Sequence, residues 1–467
     1  MFVTLARTGG NFRQALKRIS TDLLAKHRRD PRTDNPEGWR PPYYKAARTA
    51  LVSRIASKKL MSLRKILFWI HLTIGCSAGV VVFLMSVTGV LLAYQRQITN
   101  WGDRSFRSTP PTPGSQRLPI ETIIAGVLAA NGDPPSSISL RSGPAAPAEV
   151  GFGREHVLLV DMYSGKILGE SSHSTRAFFQ SVENWHRWLG APLERRQTAR
   201  AVTGACNLGF LLLVMSGPFL WLPRKWSIQN VRAVAFFRRG LSGRARDFNW
   251  HHVIGIWCAL PLFIVVLSGV VMSYPWANNL VYRLTGSEMP LQDNARRGSG
   301  PARPRAEGRR RNENGRDAGA SQSAASIGGL NEPWKRAEQQ VPGWQSITLR
   351  LPQGSRGPLA FTIDTGSGGR PDQRSQLTLD RRTGAVIRWE PFSSYNAGRR
   401  VRSWLRFLHT GEAGGVAGET VAAIASAGAA ILAWTGIWLA CRRLWRWKTR
   451  RSAALAGTPA VQVTARV

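Results

Sequence analysis

Of the eight histidines in this chain of 467 residues, five stand at or just inside the ends of apolar stretches: His71, His186, His251, His252 and His409. The other three, His27, His156 and His173, lie in polar surroundings without a pattern. Two neutral imidazoles from different helices, facing one another across a planar macrocycle, are a standard way to hold a b-type haem in a helical bundle. Small residues beside such ligands make room for the porphyrin. Gly75 and Gly79 come one and two turns after His71, and Gly255 comes one turn after His251. No C-x-x-C-H sequence occurs, which excludes covalent c-type attachment. Zinc would want four close ligands, whereas Cys76, Cys206, Cys258 and Cys441 each sit in a different apolar run. The same scatter excludes a disulfide scaffold, whose cysteines would lie in polar loops.

The elements that must position these histidines are long and apolar. Residues 66–94, 201–222, 253–274 and 416–441 contain no Lys or Arg, and their only acid is Glu419. Each is at least as long as the roughly 20 residues needed to cross about 30 Å of hydrocarbon. The expected fold is therefore an α-helical membrane protein with four transmembrane helices. Orientation follows from the short basic segments, since positive residues beside a span resist translocation. Lys58, Lys59, Arg64 and Lys65 precede helix one. Arg224, Lys225, Arg232, Arg238, Arg239, Arg244 and Arg246 fill the linker between helices two and three, against one acid, Asp247. Arg442, Arg443, Arg446, Lys448, Arg450 and Arg451 follow helix four. Both termini and this linker are expected in the cytoplasm, and the two long connections outside. His71 and His251 then enter from the cytoplasmic side, while His186 and His409 approach from the outside. The adjacent Trp69, Trp185, Trp188, Trp250 and Trp404 suit an interfacial aromatic belt better than an electron relay.

An internal repeat supports this pairing. A shift of 180 residues places His71 on His251, Gly75 on Gly255, Gly89 on Gly269 and Tyr94 on Tyr274 without a gap. A shift of 219 places Asp161 and Gly165 on Asp380 and Gly384, in segments that read as strand hairpins. Asp at a turn start and Gly where positive φ is needed are what a tight connection requires, so these aspartates read as turn residues rather than catalytic acids. Each half of the chain reads as helix, small external α+β domain, helix.

The expected organisation is a basic, disordered cytoplasmic extension over 1–60, with Met61 as a candidate alternative start. Helix one covers 61–95, an external domain 96–185, helix two 186–222, and a basic cytoplasmic linker 223–250. Helix three covers 251–276, a second external domain 277–408, helix four 409–441, and a cytoplasmic tail 442–467. Residues 294–330 interrupt the second external domain with an arginine-rich, nearly apolar-free insert, expected to be disordered. A mean hydropathy of −0.19 is thus an average over apolar helices and polar, basic segments. The net charge of +37 marks mostly a cytoplasmic membrane face, and no nucleic-acid partner is expected. The 18 Trp and 17 Phe rule out disorder throughout.

The stretches R-K-I-L-F-W-I-H-L-T-I-G, N-W-H-R-W-L-G, L-W-L-P-R-K-W, W-H-H-V-I-G-I-W and L-H-T-G-E resemble the PepSY-associated transmembrane proteins, often called iron-regulated membrane proteins. That group includes inner-membrane ferrisiderophore reductases. The resemblance covers about residues 61 to 450. It implies PepSY-like periplasmic domains, two b haems held by His71, His251, His186 and His409, and reduction of a ferric siderophore or other ferric chelate in the periplasm. His252 is the alternative to His251, because adjacent helical residues point about 100° apart and both cannot face one haem. No flavodoxin-like or reductase-like region accompanies the helices, so a separate flavoprotein or a quinol is the expected donor. From His71 to Tyr94 is 23 residues, about 35 Å along a helix, so direct transfer between haems that far apart would be slow. Two other functions fit the same segments. One is a membrane-anchored PepSY binding or regulatory protein without redox activity, and the other is a haem or metal transporter. A buried carboxylate or broken helix of the sort that marks an ion path is lacking, with Glu419 the one exception.

Overall fold

The computed structural model describes residues 42–112, 114–153, 156–223, 227–289, 328–352 and 357–456. The expectations for residues 1–41, for most of the insert (290–327) and for the last residues of the tail (457–467) fall outside the described residues. The chain divides into two compact units, Met1–Ile66 and Leu67–Val467. The first helix, α1 (Pro42–Leu92), begins well before its apolar run. Residues 42–60, expected as part of a disordered extension, are helical, in keeping with their many Ala, Leu, Lys and Arg residues, which are strong helix formers.

Next come α2 (Gln95–Gly102), α3 (Ile120–Asn131), β1 (Ser137–Arg141), β2 (Ala148–Phe152), β3 (His156–Val160), β4 (Ile167–Glu170) and α4 (His173–Trp188). After these follow α5 (Arg196–Trp221), α6 (Ile228–Ala235), α7 (Gly243–Ser273) and α8 (Pro275–Leu284). The last part holds α9 (Asn331–Gln340), β5 (Ser346–Arg350), β6 (Leu359–Asp364), β7 (Arg374–Leu379), β8 (Val386–Glu390), α10 (Ala397–Thr410) and α11 (Gly415–Ala456). Four helical stretches are long and apolar enough to cross a membrane: Leu63–Leu92, one within His173–Trp221, Gly243–Ser273 and one within Glu412–Thr449. Helix α7 packs against both α5 and α11. Close approach there requires small residues: a Cβ on Gly428 of α11 would stand 2.5 Å from the Cys258 sulfur of α7.

Helices two and four do not start at their histidines, as the boundaries 186–222 and 409–441 had them. Helix α4 carries His186 and stops at Trp188, where Leu189 and Gly190 take positive φ angles of 54° and 71°. The chain turns past Pro192 before α5 begins. Likewise α10 carries His409 and ends at Gly411, φ 79°, ahead of α11. A residue in the left-handed region cannot continue a right-handed helix, and two consecutive ones end α4 while one glycine ends α10. Both histidines therefore sit on short helices laid beside the spans.

The strands form one eight-stranded antiparallel sheet in the order β4-β3-β2-β1-β5-β6-β7-β8. This corrects the expectation of two separate external domains over 96–185 and 277–408. A four-stranded sheet would leave β1 or β5 as an open edge, and pairing the two edges satisfies both rows of backbone groups. The central pair is S-I-S-L-R against S-I-T-L-R, in register from Ser137 opposite Arg350 to Arg141 opposite Ser346. At its middle the hydroxyls of Ser139 and Thr348 lie 2.9 Å apart. Burial alternates identically along both strands, so one face is left for α3 and α9 to cover. Ile123, Ile124 and Val127 from α3 and Trp334 and Ala337 from α9 close a single core over Ile138, Leu140, Ile347, Leu349 and Phe361. Leu330 is fully buried in that core, so the insert ends before it rather than at 330. The hairpin aspartates serve as turn residues: Asp161 accepts from the backbone of Tyr163 and Ser164, and Asp380 from that of Arg382 and Thr383.

Phe361 is fully buried and meets Trp334 edge-on, with centroids 5.9 Å apart. Phe361→Ala is expected to cost the sheet about 3–5 kcal/mol, read as a lower unfolding midpoint in the tryptophan fluorescence of the full chain in detergent.

Candidate functional site

The five helix-end histidines gather at two levels of the bundle. At the level far from the sheet, His71 of α1 and His251 and His252 of α7 line one cavity of about 400 Å³. That volume lies within the roughly 300–1,000 Å³ range of ligand pockets. Gly75, Gly79 and Gly255, the small residues picked out by spacing, all line it. A Cβ on Gly75 would meet no atom within 4 Å, and one on Gly436 would press to 3.4 Å from the His251 ring. His71 of α1 and the His251–His252 pair of α7 thus share one space.

The two histidines of α7 have different surroundings. His252 binds the Phe248 carbonyl of its own helix through Nδ1 at 2.9 Å, and its ring rests on Phe248 with centroids 4.1 Å apart. His251 instead reaches across to α11, where its Nδ1 lies 2.9 Å from the Thr435 hydroxyl. His71 makes the matching contact with α5, its Nδ1 2.8 Å from the Ser216 hydroxyl.

At the level nearer the sheet, His186 and His409 face each other with ring centroids 6.5 Å apart and planes at 65°. His186 Nδ1 lies 2.9 Å from the Thr88 hydroxyl of α1. His409 Nδ1 lies 3.1 Å from the Ser268 hydroxyl and 2.8 Å from the Val265 carbonyl, both of α7. A Cβ on Gly89 would approach the His186 ring to 3.6 Å and the Ser426 hydroxyl to 3.3 Å. Thr88 and Ser268 each follow the inner histidine of their helix by 17 residues, a rise of about 25 Å. The outer histidines therefore reach deeper than a site at the level of Tyr94, and the two levels are closer than the sequence indicated.

Polar contacts at the helix termini hold the two short helices in place. Asp103, at the end of α2, accepts hydrogen bonds from the Ser171 and Ser172 hydroxyls and the Ser172 backbone N–H, and pairs with Arg176 at 3.3 Å. It holds the N-cap residue of α4, Ser172, whose own side chain makes no capping bond. Helix α10 is capped by Asn396, which accepts from the Arg399 N–H, and is tied to α8 by Arg402 donating to Asn278 at 2.7 Å. Glu419 of α11, the acid that stood out in the fourth span, is buried but not free. It pairs with Arg96 at 3.4 Å and accepts from Gln97, and Arg96 also donates to the Ser367 carbonyl beside the sheet. This is a brace between spans and sheet rather than an open ion path.

Among the described residues no three His, Cys, Asp or Glu side chains cluster as a metal site. The fit with a bis-imidazole iron is geometric. Two metal–nitrogen bonds of about 2 Å, with about 1 Å from each nitrogen to its ring centre, span about 6 Å. The outer pair is already at that separation, and the inner pair shares a pocket. The hydroxyl partners Thr88, Ser216, Ser268 and Thr435 escaped the sequence reading, although a signal existed. The 180-residue shift places Thr88 on Ser268, and the 219-residue shift places Ser216 on Thr435.

Four apolar helices long enough to span a bilayer, joined to an antiparallel sheet, define an integral membrane protein. The chain belongs to the family described as the PepSY-associated TM region, which it matches over residues 68–446. No curated protein matches it.

Partial burial pushes the Asp103 carboxyl up, but the hydrogen bonds from Ser171 and Ser172 and the charge of Arg176 outweigh this and hold it below the ordinary carboxylate range. A depressed carboxylate contributes stability that is complete above its unfolded value, about 3.9, and is lost as pH falls through the lower folded value. Melting temperature measured from pH 7 down to pH 3 should fall less steeply for Asp103→Asn than for the parent, with the variant less stable at pH 7.

Proposed function

We propose that this protein is an inner-membrane di-haem b oxidoreductase that passes electrons outward to a periplasmic ferric chelate, as a ferrisiderophore reductase does. The observation that carries this reading is the sorting of four histidines into two sets, His186 and His409 with ring centroids 6.5 Å apart and His71 and His251 lining one cavity. His71 and His251 would hold one haem, and His186 and His409 the other. His251 is preferred to His252 because it reaches across to α11 through Thr435, whereas His252 binds only the backbone of its own helix and rests on Phe248. A haem held in this way supplies reversible one-electron exchange between ferric and ferrous iron.

The remaining work falls to the polypeptide. The four spans keep both sites out of water, and the glycines at the inner level leave space that larger side chains would fill. The palindromic strand order and the matched histidines support two repeats of one ancestral unit. Arg442, Arg443, Arg446 and Lys448 at the end of α11, with the linker arginines, support a cytoplasmic face remote from the sheet and a periplasmic sheet. Arg399, Arg400, Arg402 and Arg406 lie on α10, the helix that carries His409, with Glu390 as the acid that meets Arg399. Such a basic face favours an anionic acceptor. A flavoprotein or a quinol on the opposite face would supply the electrons.

The test is optical. The purified protein should show a Soret band that sharpens and shifts on dithionite reduction, and its absence overturns the proposal. His71→Ala or His251→Ala should each remove one haem and His409→Ala the other, so that pyridine haemochrome content per chain falls by about half, while His252→Ala retains both.

A further inference from the structure

Each of the four paired histidines meets a Ser or Thr hydroxyl on a different helix, and always through Nδ1. What those hydroxyls do with their single proton decides the state of the ring. Ser216 donates to the Leu212 carbonyl at 2.7 Å, and Thr435 donates to the Ile431 carbonyl at 2.7 Å. Thr88 donates to the Leu84 carbonyl at 2.8 Å, and Ser268 to the Val265 carbonyl at 2.8 Å. A hydroxyl has one proton and two lone pairs. With the proton committed to a carbonyl of its own helix, the oxygen can only accept from the imidazole. Nδ1 must then carry the hydrogen, and Nε2 keeps its lone pair. His409 makes the point independently, since its Nδ1 also faces the Val265 carbonyl at 2.8 Å, and a carbonyl never donates.

We infer that Thr88, Ser216, Ser268 and Thr435 are positioning residues that lock His186, His71, His409 and His251 in the Nδ1–H tautomer, leaving each Nε2 as the iron ligand. The inference rests on the haem reading above and extends it to side chains that touch no iron. Three features separate it from incidental packing. The contact recurs at all four histidines and is inter-helical each time. The partners obey the same sequence shifts as the repeat, 180 residues for Thr88 and Ser268 and 219 for Ser216 and Thr435. The acceptor also does more than orient the ring. A hydrogen bond accepted from the distal N–H raises the basicity of the ligating nitrogen and favours the ferric over the ferrous state. Helix packing and iron chemistry are then coupled, because shifting α5 against α1, or α11 against α7, breaks the bond that sets the ligand.

Thr435 is the position to test, because Val keeps its shape without the acceptor oxygen and Ser keeps the oxygen without the methyl. In the full-length protein loaded with haem, Thr435→Val should weaken haem affinity at one site by about 10–100-fold and move that haem's midpoint potential upward. The second haem should keep its potential, and Thr435→Ser should behave as the parent at both. Parental affinity and potential in Thr435→Val overturn the inference, as does an equal loss in the Val and Ser variants, which would assign the effect to packing. A parent that binds no haem is a separate failure and overturns the haem reading alone. The tautomer is then read in the same protein from the nitrogen NMR shifts of labelled histidine. Protonation at Nδ1 of the four rings upholds the assignment, and protonation at Nε2 overturns it.

Discussion

A polar ring placed between apolar helices must find a hydrogen-bond partner, because no water is available to replace one, and the free energy of leaving it unpaired is several kcal/mol. In this protein that requirement is met by pinning imidazole Nδ1 atoms to hydroxyls on neighbouring helices. The solution has a geometric consequence. An imidazole held by one nitrogen presents the other in a fixed direction, and two of the histidines held this way, His186 and His409, meet ring to ring. One arrangement thus satisfies the buried polar ring and fixes its orientation.

The sheet is the second constraint. Its central seam joins β1 to β5 through strands of nearly the same sequence, so the segments that follow helices one and three end in a common scaffold. Two short helices, α4 and α10, run from that scaffold back to the spans and carry His186 and His409. Asp103 anchors the start of α4, and the Asn278–Arg402 contact anchors α10. The pair of buried Glu419 with half-buried Arg96, which also donates to the Ser367 carbonyl, ties the last span to the sheet region. A charged pair in this position is costly to break, since removing one partner leaves the other buried and uncompensated. The outer histidines are thus placed by contacts in the polar domain as much as by the helices they touch.

Much of the architecture was legible before any coordinates. Apolar length gave the four spans, because crossing hydrocarbon imposes a minimum run that few other structures need. The gapless 180-residue match singled out His71 and His251, and the three glycines chosen by helical spacing all line their cavity. What the sequence misjudged were boundaries and partners. The turns at Leu189 and Gly411 depend on backbone angles that composition does not announce in the case of Leu. The two outer domains read as separate because a strand's pairing partner lies hundreds of residues away, and period-two alternation is the same for an edge strand and a paired one. The S-I-S-L-R and S-I-T-L-R strands were open to inspection, but only their antiparallel seam gives that likeness a meaning.

The sequence by itself determined the class of protein, the number of spans, and the repeated placement of histidines at the helix ends, since hydropathy, helical periodicity and repetition are local or additive properties of a chain. Only the tertiary structure decided which histidines meet, at what depth, and through which nitrogen. Those are matters of distance between helices, and no single-helix pattern records them. Thr88, Ser216, Ser268 and Thr435 show the difference most plainly. As residues they are ordinary hydroxyls in apolar helices, free to bond back to their own carbonyls. Packed against a histidine from the next helix, the same oxygen also meets an imidazole nitrogen, and that contact fixes how the ring is held.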